Sequence, residues 1–172
     1  MATLSLIRSD APVEQGMKYA YVESPIGELL LAGDEHALHA LHFAGSKPEP
    51  AWEHNPAALA EPARQLREYF AGERTAFDLE LEMAGTPFQR AVWDRLKAIP
   101  YGETTTYGEI ANALGRPDRA RAVGAANGRN PIAIIVPCHR VIGADGSLVG
   151  FGGGLPRKRF LLDLEQRGDR LF

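Results

Sequence analysis

A chain of 172 residues, 45% hydrophobic and 24% charged, has the composition of an ordinary globular protein with room for one sizeable core or two small ones sharing an interface. Its apolar runs are too short to cross a bilayer, residues 1–16 lack the basic-then-apolar layout of a secretory signal, and a single cysteine excludes an internal disulfide framework, so a cytoplasmic protein is predicted. The net charge of −3 hides an asymmetry: residues 1–85 carry 6 basic and 14 acidic side chains, residues 86–172 carry 13 basic and 8 acidic, which suggests that the second half meets a polyanion.

The first half reads as strands followed by a helix. Residues 18–23, 28–32 and 37–43 are short apolar-rich stretches punctuated by Pro25, Gly27, Gly33 and Gly45. Residues 46–57 read as a loop. Residues 58–71 place Leu59, Ala63, Leu66, Tyr69 and Phe70 at helical spacing, closed by Gly72, and residues 76–81 return to strand alternation. This is a small α/β unit in which nothing looks catalytic. The triplet His36, His39 and His42 offers no metal site: in a strand His39 faces away from the other two, and the sequence shows no cysteine or clustered carboxylate to complete a ligand set.

The second half is mainly helical. Thr86-Pro87 is an N-cap followed by a first-turn proline, opening a helix that buries Phe88, Val92, Trp93 and Leu96. Thr104–Thr106 can cap a helix over 107–114, the string Gly115-Arg116-Pro117-Asp118 makes a sharp turn, and residues 119–127 resume helically. Two helices around a glycine turn, the second carrying arginines and many small residues, outline a helix-turn-helix able to lie close to a flat surface such as a DNA groove. The run 132–136 reads as a buried extended segment or strand. Residues 150–154 match no phosphate-binding loop and suggest a flexible pocket wall. Pro156 starts a last helix that is basic in its first turns and carries Glu165 near its end.

That apolar run delivers Cys138 to a proline corner, followed directly by His139 and Arg140. On residue type alone, such a thiol is a small buried hydrophobe. The imidazole and guanidinium beside it point instead to a reactive thiolate.

The string Pro137-Cys138-His139-Arg140-Val141, preceded by Asn130-Pro131, closely resembles the active-site signature of the O6-alkylguanine-DNA alkyltransferases, also called methylated-DNA–protein-cysteine methyltransferases. The similarity extends to Gly85-Thr86-Pro87-Phe88-Gln89, to Ile99-Pro100-Tyr101-Gly102-Glu103-Thr104 and to Arg121-Ala122-Val123-Gly124, covering residues 85–165; Ser24-Pro25-Ile26-Gly27 extends it more loosely into the first half. The resemblance implies a variable α/β domain over 1–84 and a mainly α domain over 85–172 that contains the helix-turn-helix, binds DNA and transfers the alkyl group.

The resemblance also implies roles. Cys138 matches the nucleophile that takes the alkyl group from guanine O6, His139 the base acting on it through a water, and Glu165 the carboxylate orienting that imidazole. Tyr107 matches the phenol that protonates the guanine ring, and Arg121 the arginine that fills the place of the extruded base. Asn130 matches a hinge residue bonded to the backbone near the cysteine. Backbone at Cys138 and Val141, with the loop around Gly152, would line the guanine pocket, and Lys158 matches a basic residue at the head of the last helix. Phe151 stands where many relatives carry tyrosine and Gly152 where some carry a side chain, which implies an altered tolerance for bulky O6 substituents.

The expected function is suicidal repair. One irreversible, stoichiometric transfer takes the alkyl group to Cys138 from O6-alkylguanine, with O4-alkylthymine as a second candidate, in double-stranded DNA, by a monomer needing no cofactor and no metal. Local alternatives stay open at this stage. Tyr107 could be a capping aromatic, Arg121 a partner of Asp118, Glu165 or Lys158 a surface charge, and His139 a core imidazole. The rival functions are a non-catalytic binder of alkylated DNA, a helix-turn-helix regulator and a cysteine hydrolase.

Overall fold

The computed structural model describes residues 16–170, so the N-terminal stretch read for a signal, and the ends of both expected domains, lie outside the described residues. Three strands, β1 (Lys18–Val22), β2 (Leu29–Gly33) and β3 (Leu38–His42), follow one another as an antiparallel meander. Every residue of β2 is buried, as the central strand of a sheet covered on both faces must be. A two-residue strand, β4 (Glu53–His54), pairs parallel with β1 and completes the order β3-β2-β1-β4; it lies in the stretch expected to be loop. Asn55 then caps a 3-10 turn, Pro56–Leu59, that runs into helix α1 (Ala60–Phe70).

Residues 76–81 do not form the expected strand. Their alternation is met by one isolated bridge, Leu38 to Leu81, and by the Gln65 side chain, which bonds both the amide and the carbonyl of Asp78. The segment crosses from one half to the other, pinned by a helix side chain instead of a full ladder.

Helix α2 (Pro87–Lys97) opens on a complete capping box between Thr86 and Gln89, and its Trp93 indole donates to the Ala126 carbonyl at 2.9 Å. A short parallel pair, β5 (Thr105–Thr106) with β6 (Val141–Ile142), brackets helices α3 (Tyr107–Ala113) and α4 (Ala120–Gly128). The turn between these helices uses Gly115 at φ +71°, a left-handed backbone that costs glycine little. Helix α5 (Leu155–Arg170) closes the structure.

One continuous core runs from Val22, Leu29 and Leu41 in the first half, through Leu66 and Tyr69, to Val92, Ile132, Val136 and Leu161 in the second. The two halves are therefore packed against each other as one apolar unit, and residues from both can reach a common site.

Candidate active site

The run 132–136 is not a strand. It folds into a tight, buried turn in which Ile134 sits at φ +71°, a conformation that L-residues with branched side chains rarely adopt. A short apolar run has no period that separates strand from buried turn. What closes the turn is Asn130: its amide donates to the Val136 carbonyl at 2.7 Å and its oxygen accepts from the Ile132 amide at 3.0 Å. Leu41 in β3 bonds the Pro131 carbonyl, tying the turn to the first sheet. Beyond Pro137, the 3-10 turn Cys138–Arg140 sends the side chains of His139 and Arg140 to one buried carboxylate, Glu165, while Cys138 faces a cavity.

His139 and Glu165 are both fully buried, and His139 Nε2 lies 2.7 Å from Glu165 Oε2. Because Nε2 faces a carboxylate, it carries the proton, which leaves Nδ1, buried and without a hydrogen-bond partner among the described residues, as the basic lone pair. Arg140 Nε and one terminal nitrogen clamp both Glu165 oxygens at 2.8 and 3.0 Å, and its other terminal nitrogen donates to the Ile99 carbonyl at 2.6 Å. Burial alone would raise the Glu165 pKa. The hydrogen bonds from His139 and Arg140 and the guanidinium charge outweigh it and hold the carboxyl at about 2. His139 shifts down, burial prevailing over the pull of Glu165. Glu165 is thus not a surface carboxylate, and His139 is a core imidazole with only one of its ring nitrogens hydrogen-bonded.

The thiol behaves otherwise than its flanks suggest. Burial raises the pKa of Cys138, against smaller downward pulls from the Asn130 amide and the Lys158 ammonium. Arg140 is committed to Glu165 and does not lower it. Cys138 therefore rests as a thiol, and using its sulfur as a nucleophile would call for a nearby base.

Cys138 opens onto a cavity of about 610 Å³ lined by Tyr107, Gly124, Asn127, Asn130 and the loop 149–152 on one side, and by residues 41–44 with Ser46 from the first half on the other. Tyr107 Oη and Lys158 Nζ both donate to the Val149 carbonyl at 3.0 Å. Lys158 is fully buried, 6.0 Å from the centre of the Phe151 ring, and is not a surface charge. Phe43 meets Phe151 edge-on at 5.4 Å, and Arg157 spans the halves by donating to the carbonyls of Ile26 and Gly153. The wall expected to be flexible is thus tied at several points. A Cβ at Gly152 would meet nothing within 4 Å, whereas one at Gly153 would come within 2.7 Å of the Phe43 ring.

Val141 is buried at the start of β6 and does not line this cavity; its amide donates to the Cys138 carbonyl. Arg121 lies outside too, exposed on α4, with no ion-pair partner among the described residues, Asp118 included. Sequence reasoning missed Asn127, whose amide donates to the Cys138 carbonyl at 3.4 Å, and it missed the first half altogether. Tyr69, His42 and Phe43 belong to the unit in which nothing looked catalytic, yet Tyr69 bonds Glu165 and the other two wall the cavity.

The three histidines of the first half do not converge. His39 instead meets two carboxylates that the sequence did not show as neighbours: Nε2 lies 2.8 Å from Asp34 and 3.7 Å from Glu82. This is a partly buried hydrogen-bonded cluster on the edge strand β3, and none of its three side chains lines the cavity at Cys138.

The family model for the DNA-binding domain of 6-O-methylguanine DNA methyltransferase matches residues 87–167, and that for its ribonuclease-like domain matches residues 17–83. The methylated-DNA–protein-cysteine methyltransferase of Mycolicibacterium paratuberculosis is 56% identical over 154 residues, 88% of this chain and 93% of the relative. That of Methanosarcina acetivorans is 56% identical over 153 residues, 87% and 98%. The chain belongs to the methylated-DNA–protein-cysteine methyltransferase family. The crystal structure of Mycobacterium tuberculosis OGT in complex with DNA superposes with a TM-score of 0.85 at 54% identity, covering 88% of this chain and 94% of that one. That of Mycobacterium tuberculosis O6-methylguanine methyltransferase gives 0.82 at 55% identity.

The architecture is accordingly a ribonuclease-like α/β domain carrying the four-stranded sheet, joined to a helical DNA-binding domain. The protein is an O6-methylguanine-DNA methyltransferase, a DNA-repair protein that binds DNA. No described helix is long and apolar enough to cross a membrane.

The buried network of this methyltransferase fixes its behaviour in acid. Glu165 has a depressed folded pKa, so its contribution to stability is present above about 4.5 and is lost as pH falls towards about 2. His139 is also depressed, from 6.5, so its contribution falls off in the same direction, below about 6.5. Thermal melting followed against pH is expected to show stability declining from near neutrality downwards, with a loss of roughly 3 kcal/mol attached to Glu165. A flat profile between pH 6.5 and 3 would contradict the buried assignment.

Proposed function

We propose that the protein acts once, extruding O6-alkylguanine from double-stranded DNA and moving the alkyl group irreversibly to its own Cys138, with O4-alkylthymine as a second substrate. The observation that carries this reading is the series Glu165–His139 beside a raised-pKa thiol that opens on a cavity able to hold one base. A nucleobase cannot reach a buried thiol while stacked, so it must leave the helix.

His139 Nδ1 takes the thiol proton through a water, as the Cys138 sulfur attacks the alkyl carbon. The S–C bond forms as the C–O6 bond breaks, and its electron pair passes to O6. Tyr107 lines the cavity with a hydroxyl that donates to a loop carbonyl, and turning that proton to the guanine ring neutralises the leaving base. The His139 proton then restores Tyr107. The product is a thioether with no carbonyl for water to attack, and the chain holds no second thiol. Asn130 supports the turn before Cys138, Lys158 holds the Val149 carbonyl, and Phe151 and Gly152 wall the substituent.

Arg121 works from outside the cavity, entering the duplex where the base has left. Exposed Arg116, Arg119 and Arg129 flank it and suit phosphate contact, so binding is salt-sensitive and tolerant of sequence. A monomer in a reducing cytoplasm fits a lone free thiol. The test is titration: with alkylated duplex in excess, lesion lost is expected to equal protein added and then stop. Continued turnover would favour a hydrolase, and intact lesion would favour a non-catalytic binder.

A further inference from the structure

Glu165 is gripped from the far half of the molecule. Tyr69, near the end of α1 and completely buried, donates its hydroxyl to Glu165 Oε2 at 2.6 Å, across 96 residues of chain. That oxygen is the one bonded to His139 Nε2 at 2.7 Å. We propose that Tyr69 is a positioning residue for alkyl transfer: its hydroxyl, supplied by the N-terminal domain, fixes the Glu165 carboxylate against His139 and sets the basicity of that imidazole. The proposal rests on the reading of His139 as the base that serves Cys138.

A phenyl ring would fill the same space. Tyr69 already packs on Phe70, Phe77 and Tyr101, contacts that phenylalanine would keep. The hydroxyl is what packing does not explain. Placed on the shared oxygen, its proton draws charge from Oε2 and weakens the hold of that oxygen on the imidazole proton. Burial and the adjacent carboxylate keep the phenol pKa well above its ordinary value, so it remains a donor wherever the protein works. The other titratable or charged groups around the pair are Cys138 and Arg140 from the 3-10 turn, Lys158 on α5, and Tyr101 from the link before β5. Tyr69 is the one group of this set that belongs to the N-terminal domain.

Removing the hydroxyl leaves Oε2 richer in charge, so His139 holds a proton to higher pH and is unable to accept one from the thiol there. The expected result for Tyr69→Phe is therefore a move in the acid limb of the transfer rate, not a uniform loss. Two readouts on the full chain test this: the pH profile of single-turnover methyl transfer, and the titration of the His139 ring followed by NMR. Both midpoints are expected to rise by about half a pH unit or more. A uniform fall in rate with the His139 titration unmoved would reduce Tyr69 to packing and overturn the proposal. Should Tyr69→Phe fail to fold, 3,5-difluorotyrosine at this position keeps the shape and strengthens the donor; both midpoints should then fall, and an unmoved His139 again overturns it. If wild-type protein transfers no methyl group, the functional reading fails, while the ring titration still decides the role of Tyr69.

Discussion

Replacing Glu165 by glutamine is expected to cost this protein both its fold and its chemistry. The carboxylate accepts from Tyr69, from His139 and twice from Arg140, and all four contacts are buried. Glutamine carries an amide donor where one oxygen stood, so at least one of these donors faces another donor, and the guanidinium loses its counter-charge. Removing one partner from a buried ion pair typically costs about 3–5 kcal/mol. Transfer should fall by about 10²–10⁴, the range associated with losing an oriented general base. Denaturant unfolding and single-turnover kinetics measure the two losses separately. A control distinguishes them further. Glu165→Leu combined with Arg140→Met removes both charges and is expected to recover part of the stability and none of the rate. Recovery of rate in that double variant would mean that Glu165 serves packing alone.

The second large effect is expected at Arg121, and only on duplex. This arginine is exposed on α4, outside the cavity and away from the buried network, so Arg121→Ala leaves the fold and the thiol untouched. Extruding a stacked base costs a few kcal/mol, and losing the side chain that fills the gap should slow transfer from duplex DNA by about 10²-fold. Reaction of Cys138 with a free O6-alkylguanine base, which needs no extrusion, should proceed at the wild-type rate. Equal loss on both substrates would place Arg121 in the chemistry instead of in the helix.

Residues close together in the chain were legible, because short strings carry them. Cys138 with His139, the Thr86 cap and the glycine corner between α3 and α4 could all be read from spacing and residue type, whereas Asn130 was read through resemblance and the turn it closes was not read at all. Glu165 and Lys158 were read only through resemblance, since a carboxylate or an ammonium on a helix looks like solvated surface until its partners are known. Tyr69 was hidden for the opposite reason: at helical spacing among Leu66 and Phe70, an aromatic residue reads as core, and it is core, with its hydroxyl committed elsewhere. The thiol was misread because adjacency is not contact. Arg140 follows Cys138 by two positions, but its side chain turns to Glu165, and burial then decides the sulfur's proton affinity. The stretch 132–136 failed as a strand because continuous apolar character reports burial, whereas the fold needed a turn that stops the chain at Pro137.

Cys138 itself is the proposed alkyl acceptor. The most direct measurement is peptide mass spectrometry after incubation with duplex DNA containing O6-methylguanine at a one-to-one ratio. The peptide holding Cys138 is expected to gain the mass of one methylene, the gain to match the lesion lost mole for mole, and no other peptide to change. An unmodified Cys138 peptide alongside repaired DNA, or a methyl group carried elsewhere on the chain, would contradict it.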